Sequence, residues 1–177
     1  MKRVEGVLAE LESARRRLLS EVEGVHEPRF STTPAAGKWS VGHVIEHLAR
    51  TEEGITRGVT AVCAGKLKVE RKGSDWMGRL VYVSGLYRIV SVRTIERLNP
   101  EAGLERGAAL ARLAGTREEL KAAIESGERR GLWSHSLRHP FFGPLAMLEM
   151  IEFAAYHEER HRRQIVRIKR ALELARK

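Results

Sequence analysis

Apolar residues recur along much of this chain at spacings of three, four and seven, the period that lines one face of an α-helix. Val4, Val7, Leu8, Leu11, Leu18 and Val22 predict a first helix from about residue 2 to 24, ending before Pro28. The polar stretch FSTTPAAGKWS then reads as a loop, and Ser40 as the N-cap of a second helix over about residues 41–63. Its inward face is Val41, Val44, Ile45, Leu48, Ile55, Val59 and Val62. A third helix over about 105–126 carries Leu110, Leu113, Leu120 and Ile124 inward. The segment GLWSHSLRHPFFGP reads as a loop, with Gly143-Pro144 opening a last helix that runs to about 175.

Residues 64–104 follow no clear period. Gly65, Gly73, Gly78, Gly85, Pro100 and Gly103 punctuate them, and Leu80–Val92 suits a short helix or an extended segment equally well. Strand signals are weak throughout. The pattern therefore predicts an all-α four-helix bundle, one domain over 1–177, with a longer irregular connection between the second and third main helices.

The last helix changes the picture from fold to chemistry. On a helical wheel Met150, Ala154, His157, His161, Ile165, Ile168 and Leu172 fall in one narrow arc, while Glu159, Arg160, Arg162, Arg163 and Arg170 fall outside it. Two histidines four apart thus lie on the core-facing stripe, one turn apart, within reach of a shared ion. Two isolated buried imidazoles would instead need partners for four ring nitrogens in an apolar core. HEERH matches the H-E-x-x-H pattern of zinc peptidases, but Gln164 and Arg167 stand where the extended pattern has Gly and His. A third ligand must come from upstream, because Glu173 is the one carboxylate after His161. His47, at the edge of the second helix's apolar stripe, and His43, one turn earlier and more outward, are the alternatives, with His47 favoured. Glu52 projects into the same stripe and needs a partner there: a ligand ring to orient, an arginine or, ranked lower, the metal itself.

Two segments resemble the DinB/YfiT-like superfamily of metal-binding four-helix bundles. Trp39 to Glu52, WSVGHVIEHLARTE, is similar to the family's Trp-Ser/Thr, then His-Leu, then an acid. HPFFGPL from His139, followed by HEERHRRQI from His157, is similar to its His-Pro-x-Phe/Leu-Gly and closing His-x-x-x-His-x-x-Gln-Ile. The resemblance implies a three-histidine site at His47, His157 and His161 for zinc, nickel or a similar divalent ion. It also implies a metal-dependent thiol S-transferase or hydrolase, with a low-molecular-weight thiol as a candidate co-substrate, a small-molecule substrate and a homodimer; the alternative is a non-enzymatic bundle that binds metal or a partner.

Several other residues are open to two readings. Glu158 could serve as a base or pair with an arginine; Trp39 could line a pocket or staple the helix start. His139 reads as structural, and His135 lies in the same loop. Cys63, the single cysteine, reads as a small core residue and excludes an intrachain disulfide or a Cys-rich zinc site. The net charge of +9, from 32 Lys+Arg against 23 Asp+Glu, is scattered and accompanied by no nucleic-acid-reading motif, so such a partner is not expected. The charged N-terminus is no secretory signal and no stretch suits a membrane helix, so a cytoplasmic location is the expectation.

Overall fold

The computed structural model describes residues 2–67, 98–100 and 105–174. Four helices dominate it: α1 (Lys2–Glu23), α2 (Val41–Cys63), α3 (Arg106–Glu128) and α4 (Met147–Leu174). This is the predicted four-helix bundle. The choice between helix and extended segment for Leu80–Val92 lies outside the described residues. Among the described residues no helix is long and apolar enough to cross a membrane.

Cross-helix contacts give the topology. Arg15 meets Glu158, Arg17 meets Glu159 and Glu21 meets Lys169, so α1 and α4 run parallel. Glu46 faces Arg112, Glu52 meets Arg117 and Cys63 lies against Gly127, so α2 and α3 also run parallel. The two pairs oppose each other, since α1 Leu11 faces Arg117 and Glu23 faces Arg106. The order is up-down-down-up. A helix of 23 residues, such as α2, is about 34 Å long at 1.5 Å per residue. Because α3 runs parallel to α2, the end of α2 and the start of α3 lie about that far apart.

Local chemistry sets the helix starts. The His43 amide donates to Ser40 Oγ (3.2 Å) and the Ser40 amide donates to His43 Nδ1 (3.1 Å), a capping box with histidine in the place usual for glutamate. Gly42 matters for a different reason: a Cβ there would lie 2.9 Å from Cε1 of the buried Phe30.

The last helix begins later than its sequence suggests. Ser136–His139 (β1) and Gly143–Ala146 (β2) form an antiparallel hairpin, with His139 opposite Gly143. Gly143 has φ +68°, outside the helical region, so the helix cannot open there. Pro144 sits instead on an edge strand, where its missing N–H costs no ladder bond. The helix starts at Met147, and Glu149 Oε2 accepts from the Ala146 amide at 2.8 Å.

The core is in two parts. Leu11, Ile55, Leu120 and Ile151 belong to one cluster; Leu18, Ile45, Leu113 and Ile165 belong to the other. Between them lies a charged layer with one or more residues from each helix: Arg15, Glu52, Thr116, Arg117 and Glu158, all buried. Arg15 donates to Glu52 Oε2 (2.8 Å), Glu158 Oε1 (2.8 Å) and the Leu113 carbonyl (2.7 Å). Arg117 donates to Glu52 Oε1 (2.7 Å), Glu158 Oε1 (2.9 Å) and the Leu11 carbonyl (3.1 Å). Thr116 adds a bond to Glu52 Oε2 at 2.7 Å. Two arginines and two glutamates balance formally.

Candidate metal centre

His47 on α2 and the pair His157 and His161 on α4 come together across the antiparallel contact of these helices. One ring nitrogen from each lies within 4.8 Å of the other two. His157 Nε2 is 3.4 Å from His47 Nε2 and 3.2 Å from His161 Nε2. Zinc–imidazole bonds of about 2.0–2.1 Å in a tetrahedron put neighbouring ligand nitrogens about 3.3–3.4 Å apart. The two close pairs match that edge.

The outer ring nitrogens decide how the inner ones behave. His47 Nδ1 lies 2.9 Å from the Leu98 carbonyl, which can only accept, so the proton is on Nδ1 and the Nε2 lone pair points inward. His161 Nδ1 donates in the same way to Gln164 Oε1 at 2.8 Å. Two acceptor lone pairs therefore converge on His157 Nε2, which carries at most one proton to share between them. A cation in the middle resolves the conflict. Burial pushes the His47 pKa down, and burial together with His161 and His47 pushes that of His157 well below its usual value. Burial and the His47 charge bring His161 down to about 3. All three rings are neutral near pH 7, the form a metal requires.

The surroundings hold the rings in place. The Trp39 indole lies 5.0 Å from the His47 ring and stacks over His161 at 6.2 Å. It therefore lines the site as well as packing at the start of α2. Phe153 stands 5.4 Å from the His157 ring. His139 is structural, as its motif suggests: its Nδ1 accepts from the Phe141 and Phe142 amides at 3.1 and 3.3 Å, fixing the hairpin turn. Burial lowers its pKa to about 4.

The geometry separates the other candidates. His43 is committed to the α2 cap and does not join the cluster. Glu52 reaches the arginines and not a ligand ring. Glu158 is not placed to act as a base beside the histidines. One helical position beyond His157 turns it about 100° toward α1, where Arg15 and Arg117 hold it in the charged layer. The H-E-x-x-H match is thus incidental to any peptidase chemistry. Cys63 is half-buried against the core. Two participants had no assigned role in the sequence, Gln164 and the Leu98 carbonyl. Gln164 was legible in principle, three residues after His161 on the same helix.

Comparisons with known proteins bear on the same residues. The family model of the DinB superfamily matches residues 10–165, a span that includes all three histidines. The chain belongs to the DinB superfamily. One relative within reach is the uncharacterized protein YuaE of Bacillus subtilis (strain 168), 27% identical over 163 residues, covering 92% of this chain and 96% of YuaE. Two solved structures share the fold. TT2238, described as a four-helix bundle protein, matches with a TM-score of 0.58 at 23% identity, over 91% of this chain and 96% of its own. YfiT from Bacillus subtilis matches with a TM-score of 0.63 at 14% identity, over 96% of this chain and 87% of its own. It is described as a probable metal-dependent hydrolase with an unusual four-helix bundle topology. The solved structures share the four-helix bundle; the chemistry rests on this chain's own residues.

Proposed function

We propose that His47, His157 and His161 bind a divalent metal ion, zinc or nickel, and that the protein is a metal-dependent hydrolase or thiol S-transferase acting on a small molecule. The observation that carries this reading is the convergence of three Nε2 atoms while two of the outer nitrogens are committed to Leu98 and Gln164. The fold shared with YfiT, with its description as a probable metal-dependent hydrolase, supports the hydrolytic form.

A divalent ion on three imidazoles supplies a Lewis acid with an open position, able to lower the pKa of a bound water or thiol. The chain's own residues do the rest. The Leu98 carbonyl and Gln164 keep two lone pairs aimed inward, and Trp39 and Phe153 pack against the rings. The Arg160 guanidinium disfavours protonation of all three rings. The cleft that opens on the histidines measures about 840 Å³, within the roughly 300–1,000 Å³ typical of small-molecule sites.

Metal analysis of untagged protein tests the site. Near-stoichiometric zinc, nickel or a similar ion is expected, and its loss in His157→Ala and His161→Ala. Metal content unchanged in both variants would overturn the reading. An ester panel and a thiol-plus-electrophile panel, each with and without chelator, then separate hydrolysis from thiol transfer; turnover indifferent to chelator refutes both.

A further inference from the structure

The cleft beside the histidines is lined by two unlike sets of residues. One is apolar, with Leu137 and Phe142 of the hairpin, Met150 and Phe153 of α4, and Leu98. The other is cationic, with Arg50, Arg57 and Arg112 from α2 and α3, Arg138 from the hairpin and Arg160 from α4. Glu53 is the one carboxylate among the described lining residues, and it pairs with Arg112 at 2.9 Å and Arg57 at 3.9 Å. The buried Glu46 takes Arg50 at 2.8 Å. These carboxylates offset charge on the α2 and α3 side. No carboxylate among the described lining residues stands on the hairpin, where Arg138 lines the cleft.

Arg138 has a built position. It is exposed on β1 between the half-buried Leu137 and the buried His139. His139 pins the turn through the Phe141 and Phe142 amides, and Leu137 presses on α2 where Gly58 leaves it room. The strand backbone is therefore fixed on both sides of Arg138. Its guanidinium offers a planar fork suited to an oxyanion.

We propose that the cleft selects small molecules with an apolar body and an oxyanion group, the body against Phe142 and Phe153 and the oxyanion on Arg138. This rests on the metal-centre reading for its chemistry but not for its binding, so the two can fail separately. The oxyanion is a carboxylate or a phosphate, and the probes distinguish them.

The test is calorimetric binding of three probes sharing one body: 4-phenylbutyrate, 4-phenylbutyl phosphate and 4-phenylbutanol. Wild type is expected to bind one of the two anions about tenfold or more tighter than the alcohol, the scale of a charge-assisted hydrogen bond. Arg138→Gln is expected to remove that preference while leaving alcohol binding unchanged, and Arg138→Glu to reverse it. Arg138 is exposed, so folding is not at stake, and circular dichroism checks it. The same titrations in His157→Ala isolate the arginine from the ion. Retention of the anion preference there supports the proposal. Equal binding of anions and alcohol by wild type would overturn it, as would a preference that survives Arg138→Gln but disappears in His157→Ala. Metal analysis of the same samples scores the metal centre independently.

Discussion

Arg117→Met is the sharpest perturbation of the charged layer. Arg117 is 3% exposed, and its guanidinium holds Glu52 and Glu158 while bonding the Leu11 carbonyl. Its removal leaves two buried carboxylates facing Arg15 alone among charged partners within the layer. Removing one partner of a buried ion pair costs about 3–5 kcal/mol, because the remaining charge is stranded away from water. For a chain of this length each kcal/mol moves Tm by about 2–4 °C, so the expected drop is roughly 6–20 °C. Glu158 is the weaker carboxylate: burial raises its pKa despite the arginines, and its Oε2 has no hydrogen-bond partner among the described residues. Neutralising it in Arg117→Met/Glu158→Gln restores formal balance, and the pair is expected to be non-additive by about 1–3 kcal/mol. The deficit belongs to ionised carboxylates. A carboxyl whose folded pKa is raised is destabilising above that pKa, so the Arg117→Met deficit shrinks as pH falls toward the ordinary value of 4.5. Urea unfolding followed by circular dichroism, in chelator to hold metal linkage fixed, measures these terms. A loss below about 1 kcal/mol for Arg117→Met, or strict additivity in the double variant, would refute the claim that the layer acts as one network.

Other expectations follow from separate features. Gln164→Leu strands the His161 Nδ1–H and should weaken metal binding by about 10–100-fold in competition with a chromogenic chelator, while the buried unpaired donor lowers apo stability by about 1–3 kcal/mol. Gly58→Ala places a Cβ 2.5 Å from Leu137 Cδ2; overpacking of about 1–3 kcal/mol then opposes a helix-propensity gain of about 1 kcal/mol, and Leu137→Ala in the same chain should relieve the loss. Glu159 is held down to about 2, first by its hydrogen bond to Arg162 and then by Arg163 and Arg17. A depressed carboxylate stabilises above its ordinary pKa and loses this as pH falls through the folded value, so stability should fall between pH 4.5 and about 2, and Glu159→Gln should flatten that slope.

The apolar period located the four helices because each buries at least one continuous face. Ser40 was legible as a cap, and His157 with His161 as an inward pair, since spacing alone places them. Three features were not legible. The hairpin strands are four residues each, too short for a period to register, and Pro144 suits a first helical turn as well as an edge strand. Only the φ of Gly143 decides between them. Arg15 sits in a run of three arginines that reads as solvent-facing, yet it is buried. Glu158 lies off the apolar arc of α4 because that helix buries a second face against α1. A wheel drawn for one apolar stripe cannot show a face that is buried and charged. The parallel pairing of α2 and α3 was likewise invisible, because a long connection permits either direction.

The order of the helices also bears on when a metal could act. His47 and His157 are 110 residues apart and stand on opposite helix pairs. They meet only once α2 and α4 have docked. An ion held there would be a late clasp on an assembled bundle rather than a seed for its helices. Contacts absent from the folding transition state slow unfolding without speeding folding. Metal supply would then govern how long the folded protein lasts, and hardly at all how fast it forms.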